Sequence, residues 1–255
     1  RVTMVGNFSE AFAGIFSGLL AVYSLRFPFY VQSGIAFIGI PAAIALTEHA
    51  AKTRIKNSFA NIMKIIQYSL FTNKELCYNI MFSGVIGAAT LTMAWFVQPL
   101  LIELDTPTSW FGIIWTILNL TVGISALYSD KLDQRLGSLR MYAFILFFIV
   151  GGYIAVAFNI SYVGLICLFF FYIVRGFATP ILKGYINQIT FSEMRATVLS
   201  IRNFVIRLMF AAMAPLVGWL HDLYSLSIAL QATAVIIFVP GLLFLILQWR
   251  YSKKV

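Results

Sequence analysis

Runs of about 20 apolar residues, the length of helix that crosses a hydrocarbon core of about 30 Å, recur from one end of this chain to the other. Of the 255 residues 61% are hydrophobic and only 11% charged, against roughly a quarter charged in an average soluble domain. No soluble core is that large, so the bilayer is the solvent for most of the chain. Apolar stretches read against their breaks predict spans over 5–25, 29–47, 76–101, 108–129, 141–158, 161–182, 195–220 and 227–249. Their length, and the lack of alternating polarity, call for helices rather than barrel strands. The expected fold is an all-α polytopic membrane bundle of about eight transmembrane helices.

In a soluble protein a formal net charge of +9 would raise nucleic acid as a partner. The positions of the charges argue for topology instead. One set of loops and ends carries Arg1; Lys52, Arg54, Lys56, Lys64 and Lys74; Lys131, Arg135 and Arg140; Lys183 and Arg195; and Arg250, Lys253 and Lys254. The other set carries only Arg26, and Arg175, Arg202 and Arg207 lie inside spans, which accounts for all 18 basic residues. By the positive-inside rule both ends are expected in the cytoplasm, with an even number of spans between them. No nucleic-acid binding is expected. Trp95, Trp110 and Trp219 fall near the outer interface and Trp249 near the inner one, where amphipathic rings settle. Trp115 is deeper and needs another reason. Cys77 and Cys167 sit in apolar runs, without disulfide or metal-ligand spacing.

The one long loop, 48–73, carries Ile55, Phe59, Ile62, Met63, Ile66 and Leu70 at helical spacing among lysines. This predicts an amphipathic helix on the cytoplasmic membrane surface, as a connector or as a lipid- or protein-binding segment. Shifting the chain by 201 residues puts Ala13, Leu19, Tyr23, Ser24 and Leu25 on Ala214, Leu220, Tyr224, Ser225 and Leu226. Both copies end a span at its outer edge, so the first span corresponds to the seventh. Six spans after the loop would form a whole unit, and the two before it would be the last two of another. Four helices of the same protein are then expected before Arg1.

The stretch Asp133-Gln134-Arg135-Leu136-Gly137-Ser138-Leu139-Arg140 and the stretch Glu193-Met194-Arg195-Ala196-Thr197-Val198-Leu199-Ser200 resemble two features of the major facilitator superfamily. The first is similar to that family's Asp-Arg-x-Gly-Arg-Arg turn between helices eight and nine, the second to the start of its helix eleven. The resemblance covers essentially the whole chain as helices five to twelve of twelve. It implies 1–47 as the last two helices of an N-terminal bundle, 48–75 as a cytoplasmic linker and 76–255 as a six-helix C-terminal bundle. The family's antiporter signature Gly-Pro-x-x-Gly-Gly has its counterpart in Ala13-Gly14-Ile15-Phe16-Ser17-Gly18, without the proline. In both copies small residues also permit close helix approach.

Charges within spans cost about 2.5–3.5 kcal/mol at a helix centre and need a partner, water or a task. Arg207 lies roughly 18 Å past Arg195, near the membrane middle, where it would hold an anionic substrate group, pair with a carboxylate or act as a gate. Asn203 is four residues earlier on the same face. Arg202 points about 140° from Arg207, and inter-bundle pairing near the cytoplasm is its expected role. Arg175 is roughly 12 Å from Lys183 along its helix, within reach of either the interface or a substrate. Gly176 and Pro180 follow it and weaken the helix, as a bending gate would require. Glu10 is the one carboxylate well inside the first span, either a proton-coupling group or one half of an ion pair with an arginine.

The family resemblance further implies that the third and sixth spans line a cavity. That places Asn79, Ser83 and Thr90 on one wall, Tyr172 and Arg175 on another, and Trp115 with Asn119 at an edge. Asp133 and Arg135 would act in gating or coupling.

Hydrolytic or metal chemistry needs a nucleophile and base, or several ligands, at membrane depth. The only histidines, His49 and His221, stand at span ends. An enzyme is not expected, and neither is a cofactor. The expected function is secondary active transport of a small solute, with a lean toward anionic ones, in a plasma (bacterial inner) membrane. A multispan receptor or a non-transporting scaffold is the alternative. Two equivalent bundles favour alternating access over either.

Overall fold

The computed structural model of the protein describes residues 2–24, 26–45 and 59–253. Among them the chain is helical, as α1 (Val2–Tyr23), α2 (Phe27–Ile44), α3 (Phe59–Gln67), a π-helical turn at Tyr68–Thr72, α4 (Lys74–Glu103) and α5 (Thr108–Leu127), then α6 (Ser129–Leu136), α7 (Ser138–Phe158), α8 (Tyr162–Gln188), α9 (Arg195–Leu223) and α10 (Leu226–Ser252). The expected positions His49, Lys52, Arg54, Ile55 and Lys56 lie outside the described residues.

Six helices, α4, α5 and α7 to α10, are long and apolar enough to cross a membrane. They match the last six expected spans. The helices at the first two expected positions, α1 and α2, carry shorter apolar stretches, Phe8–Ala21 and Phe27–Pro41.

Helix starts follow the local chemistry. Asn73 accepts a hydrogen bond from the Leu76 N–H at 3.0 Å. Ser161 accepts one from Val163 at 3.2 Å, and Ser225 one from Ile228 at 3.3 Å. Each side-chain oxygen satisfies one of the orphan donors of a first turn. Gly137, with φ +75°, makes the corner between α6 and α7, a conformation that L side chains rarely adopt. Pro180 does not end its helix, since α8 continues through it to Gln188, six residues beyond the expected limit of 182. Transmembrane helices tolerate proline where neighbours re-satisfy the freed carbonyl.

The main core lies among α4, α5, α7, α8, α9 and α10, with Phe82, Met93, Leu118, Tyr153, Phe171 and Ala229 almost wholly buried. Phe147, Phe148, Phe170, Val235 and Val239 point outward and are exposed, as residues that contact acyl chains should be. Two tyrosine and serine bonds tie the bundle through backbone carbonyls. Tyr153 Oη on α7 donates to Ala89 O on α4 at 2.6 Å, and Ser227 Oγ on α10 donates to Ala157 O on α7 at 2.6 Å. Such bonds are the interhelical glue of membrane bundles, because nothing in the hydrocarbon competes for the donor.

A smaller cluster closes the Lys74 end of the bundle: Leu76, Ile80, Ile186, Val198 and Ile201. Ile65, Ile66 and Leu70 from the linker pack against it, whereas Phe59, Ile62 and Met63 are exposed. The apolar side of the linker is therefore divided. One part docks on the bundle, and the other is left to face outward.

Candidate functional site: polar groups inside the helix bundle

Glycines decide where polar side chains can meet. At Gly84 a Cβ would stand 2.8 Å from Val205 Cγ1, and at Gly87 one would stand 2.6 Å from Ile206 Cδ1. Without them α4 and α9 approach closely. That proximity lets Arg202 of α9 reach Ser83 of α4. Arg202 as a whole is 4% exposed; its Nε donates to Ser83 Oγ at 2.5 Å and its Nη1 to Asn203 Oδ1 at 3.1 Å. Its partners are neutral acceptors, and Lys183 of α8 stands near enough for the two cations to repel. Charge here is solvated by dipoles and not neutralised by a carboxylate.

Nearer the bundle's Lys74 end, α4, α7, α8 and α6 are joined by a second network. Tyr142 Oη donates to Asn79 Oδ1, and Tyr185 Oη donates to Asp133 Oδ1. The two tyrosine rings lie 5.3 Å apart, and Phe82 meets Tyr142 edge-on at 4.7 Å. Asn79 and Asp133, distant in sequence, thus belong to one chain of contacts. Arg195 anchors the same region by donating through Nη2 to Asn187 O at 3.1 Å and Thr190 O at 3.4 Å, which satisfies carbonyls at the end of α8.

Deeper in α8, the Arg175 guanidinium carbon lies 5.2 Å from the centre of the Tyr172 ring. The charge is over the ring face. The Tyr172 hydroxyl and Arg175 Nη1, both buried, make no well-formed hydrogen bond, although the phenol oxygen lies within electrostatic reach of the guanidinium. Tyr172 itself is fully buried. Gly176, next in the chain, is a contact point. A Cβ there would be 2.6 Å from both Val122 O and Ser125 Cβ of α5.

Trp115 finds its reason at α1. A Cβ on Gly14 would be 3.4 Å from Trp115 Cδ1, so the indole edges the seam between α1 and α5. Asn119 is separate from it in role. Its amide donates to Trp115 O within the helix at 3.1 Å, while its Oδ1 is buried without a partner. Thr90 is likewise satisfied inside its own helix, by Gly87 O at 3.0 Å.

The sequence-derived residues therefore fall into separate groups. Ser83, Arg202 and Asn203 meet; Asn79 and Asp133 are linked through tyrosines; Tyr172 and Arg175 meet. Arg207, Glu10 and Arg135 are exposed, and Pro180 is half-buried within α8. Of the two α9 arginines, Arg202 is held inside the bundle and Arg207 faces outward. Sequence reasoning passed over Tyr142 and Tyr185. The available signal was a phenol in an apolar span, whose hydroxyl must find an acceptor when buried. No protein-family model matches this chain, and no curated protein matches it either.

Proposed function

We propose that the protein is a secondary transporter that moves a small solute by alternating access, with α4, α5 and α7 to α10 as one bundle and α1 and α2 as part of another, in the arrangement of the major facilitator superfamily. Both ends would be cytoplasmic and the membrane a plasma membrane, on the distribution of basic residues.

One observation carries this reading. α1 packs on α5 through glycine, since a Cβ on Gly112 would stand 2.8 Å from Gly14 O and 3.2 Å from Gly18 Cα. In α9 the residues Ala211, Pro215 and Trp219 are exposed. Subtracting the 201-residue offset gives positions 10, 14 and 18, and of these Gly14 and Gly18 meet α5. The same face of the repeated helix is thus occupied in one copy and open in the other. Two bundles related by a repeat, each lending this helix to the other, would use both faces, and rocking about such seams is how alternating access works.

Uptake of radiolabelled solutes by the protein in liposomes, against an imposed ion gradient, tests the proposal. Gly112→Val is expected to abolish uptake while the six-helix bundle stays folded, because its new methyls meet α1 backbone atoms that no side-chain rotation can relieve. Uptake at the wild-type rate would remove the seam from the mechanism. Arg207 lies on the open stripe. Arg207→Ala should leave stability within about 0.5 kcal/mol of wild type and lower uptake. Unchanged uptake and unchanged pH dependence would deny Arg207 a part in transport.

A further inference from the structure

We propose that Arg175 and Tyr172 of α8 form the receptor for the carboxylate of a small monocarboxylate solute, an assignment that rests on the transport reading above. Two buried polar groups stand side by side, Arg175 Nη1 and the Tyr172 hydroxyl; they lie within electrostatic reach of each other, and neither makes a well-formed hydrogen bond. Among the described residues no carboxylate lies within ion-pair distance of Arg175: the ion pairs among them join His221 of α9 to Glu103 at the far end of α4 and to its neighbour Asp222. Nearby Tyr153 has already committed its proton to Ala89 O. What this site lacks is an acceptor-only anion.

The geometry narrows the class. A guanidinium presents a planar fork of donors that matches a carboxylate two-point, and a hydroxyl beside it adds a third bond to the same oxygens. One cation balances one negative charge, so a monoanion fits better than a dianion such as phosphate. A solute cation is repelled. The walls around the pair are aromatic, with Phe171 meeting Tyr153 edge-on at 5.5 Å and lying 6.1 Å from Tyr172. These rings are closely packed, so the apolar remainder of the solute enters as they part, and they strengthen the ion pair by excluding water. At roughly 12 Å from Lys183 along the helix, the pair is also too deep for a lipid headgroup carboxylate to be its usual occupant.

The test uses three shape-matched pairs that differ in charge, propionate with propionamide, benzoate with benzamide and butyrate with butyramide, titrated into the purified protein in lipid nanodiscs by calorimetry. Wild type should bind at least one acid in preference to its amide. Arg175→Gln should weaken that acid on the order of a hundredfold, as removal of one partner of a buried charge pair does, without weakening the amide. Tyr172→Phe, which keeps the ring and loses only the hydroxyl, should weaken it roughly tenfold, the worth of a hydrogen bond to a charged group. Arg175→Lys keeps the charge but not the fork and should fall between the two; with Tyr172→Phe it decides the matter if Arg175→Gln does not fold. No preference for any acid in wild type, or wild-type preference in both Tyr172→Phe and Arg175→Lys, overturns the assignment. Arg175-dependent binding in a protein that takes up none of these acids into liposomes would keep the anion site and refute the transport reading. Uptake with an Arg175-independent preference would do the reverse.

Discussion

Gly176→Val is expected to destabilise the bundle by about 3 kcal/mol, the upper end of what overpacking costs. The reason is what the added carbon meets. A Cβ at 176 would lie 2.6 Å from the Val122 carbonyl oxygen and 3.2 Å from Val122 Cα, backbone atoms that move only if α5 moves. Gly184 supplies the control on the same helix, because a Cβ there has nothing within 4 Å. Gly184→Ala should be neutral or stabilising by up to about 1 kcal/mol, the difference in helix propensity. Cys77 and Cys167 are free and half-buried, so a thiol-reactive dye can follow thermal unfolding without an added label. If Gly176→Val melts with wild type, α5 and α8 do not approach as closely as described, and Gly176 returns to the role of a hinge.

Ser83→Ala should cost a similar amount, about 3 kcal/mol, for an electrostatic reason. The alanine removes only the hydroxyl and adds no bulk, but it leaves Arg202 Nε–H buried with no acceptor, and stripping a partner from a buried charge is among the costliest single changes. The double variant Ser83→Ala with Arg202→Met removes the stranded charge as well. It should be more stable than Ser83→Ala alone, and the four-way comparison should return a coupling of about 1–3 kcal/mol. Additive costs would mean that Arg202 finds another acceptor and that Ser83 is incidental. The same comparison bears on mechanism, because Lys183 adds a second uncompensated cation at this place and anything that weakens the Ser83 bond frees Arg202 to move.

Much of the fold was legible because the membrane restricts it. A segment in hydrocarbon must satisfy its own backbone, so about 20 apolar residues read as one helix. Six of the expected spans coincide with helices long enough to cross, within a few residues except where α8 runs on past Pro180. The linker was legible in part. Its helical spacing was right over Phe59–Gln67, but its docking on Ile80, Val198 and Ile201 depends on a surface formed by α4 and α9 together. Polar residues divided in the same way. Thr90 and Asn119 bond inside their own helices, a local matter that spacing alone permits. Tyr142 with Asn79, and Tyr185 with Asp133, need two helices at a definite rotation.

By itself, then, the sequence determined that the chain is helical and apolar on a bilayer scale. The tertiary structure decided which side of each helix is the inside. Arg202 and Arg207 are about 140° apart whatever the packing, and nothing in their spacing says that Arg202 meets Ser83 while Arg207 faces out. In water the apolar stripe would have marked the buried face. In a bilayer the lipid-facing and partner-facing sides are both apolar, so that contrast disappears and close fit decides instead. The fit is set by missing side chains, at Gly84 and Gly87 for α9, Gly112 for α1 and Gly176 for α5. Where those gaps align, a guanidinium can be held inside a membrane bundle.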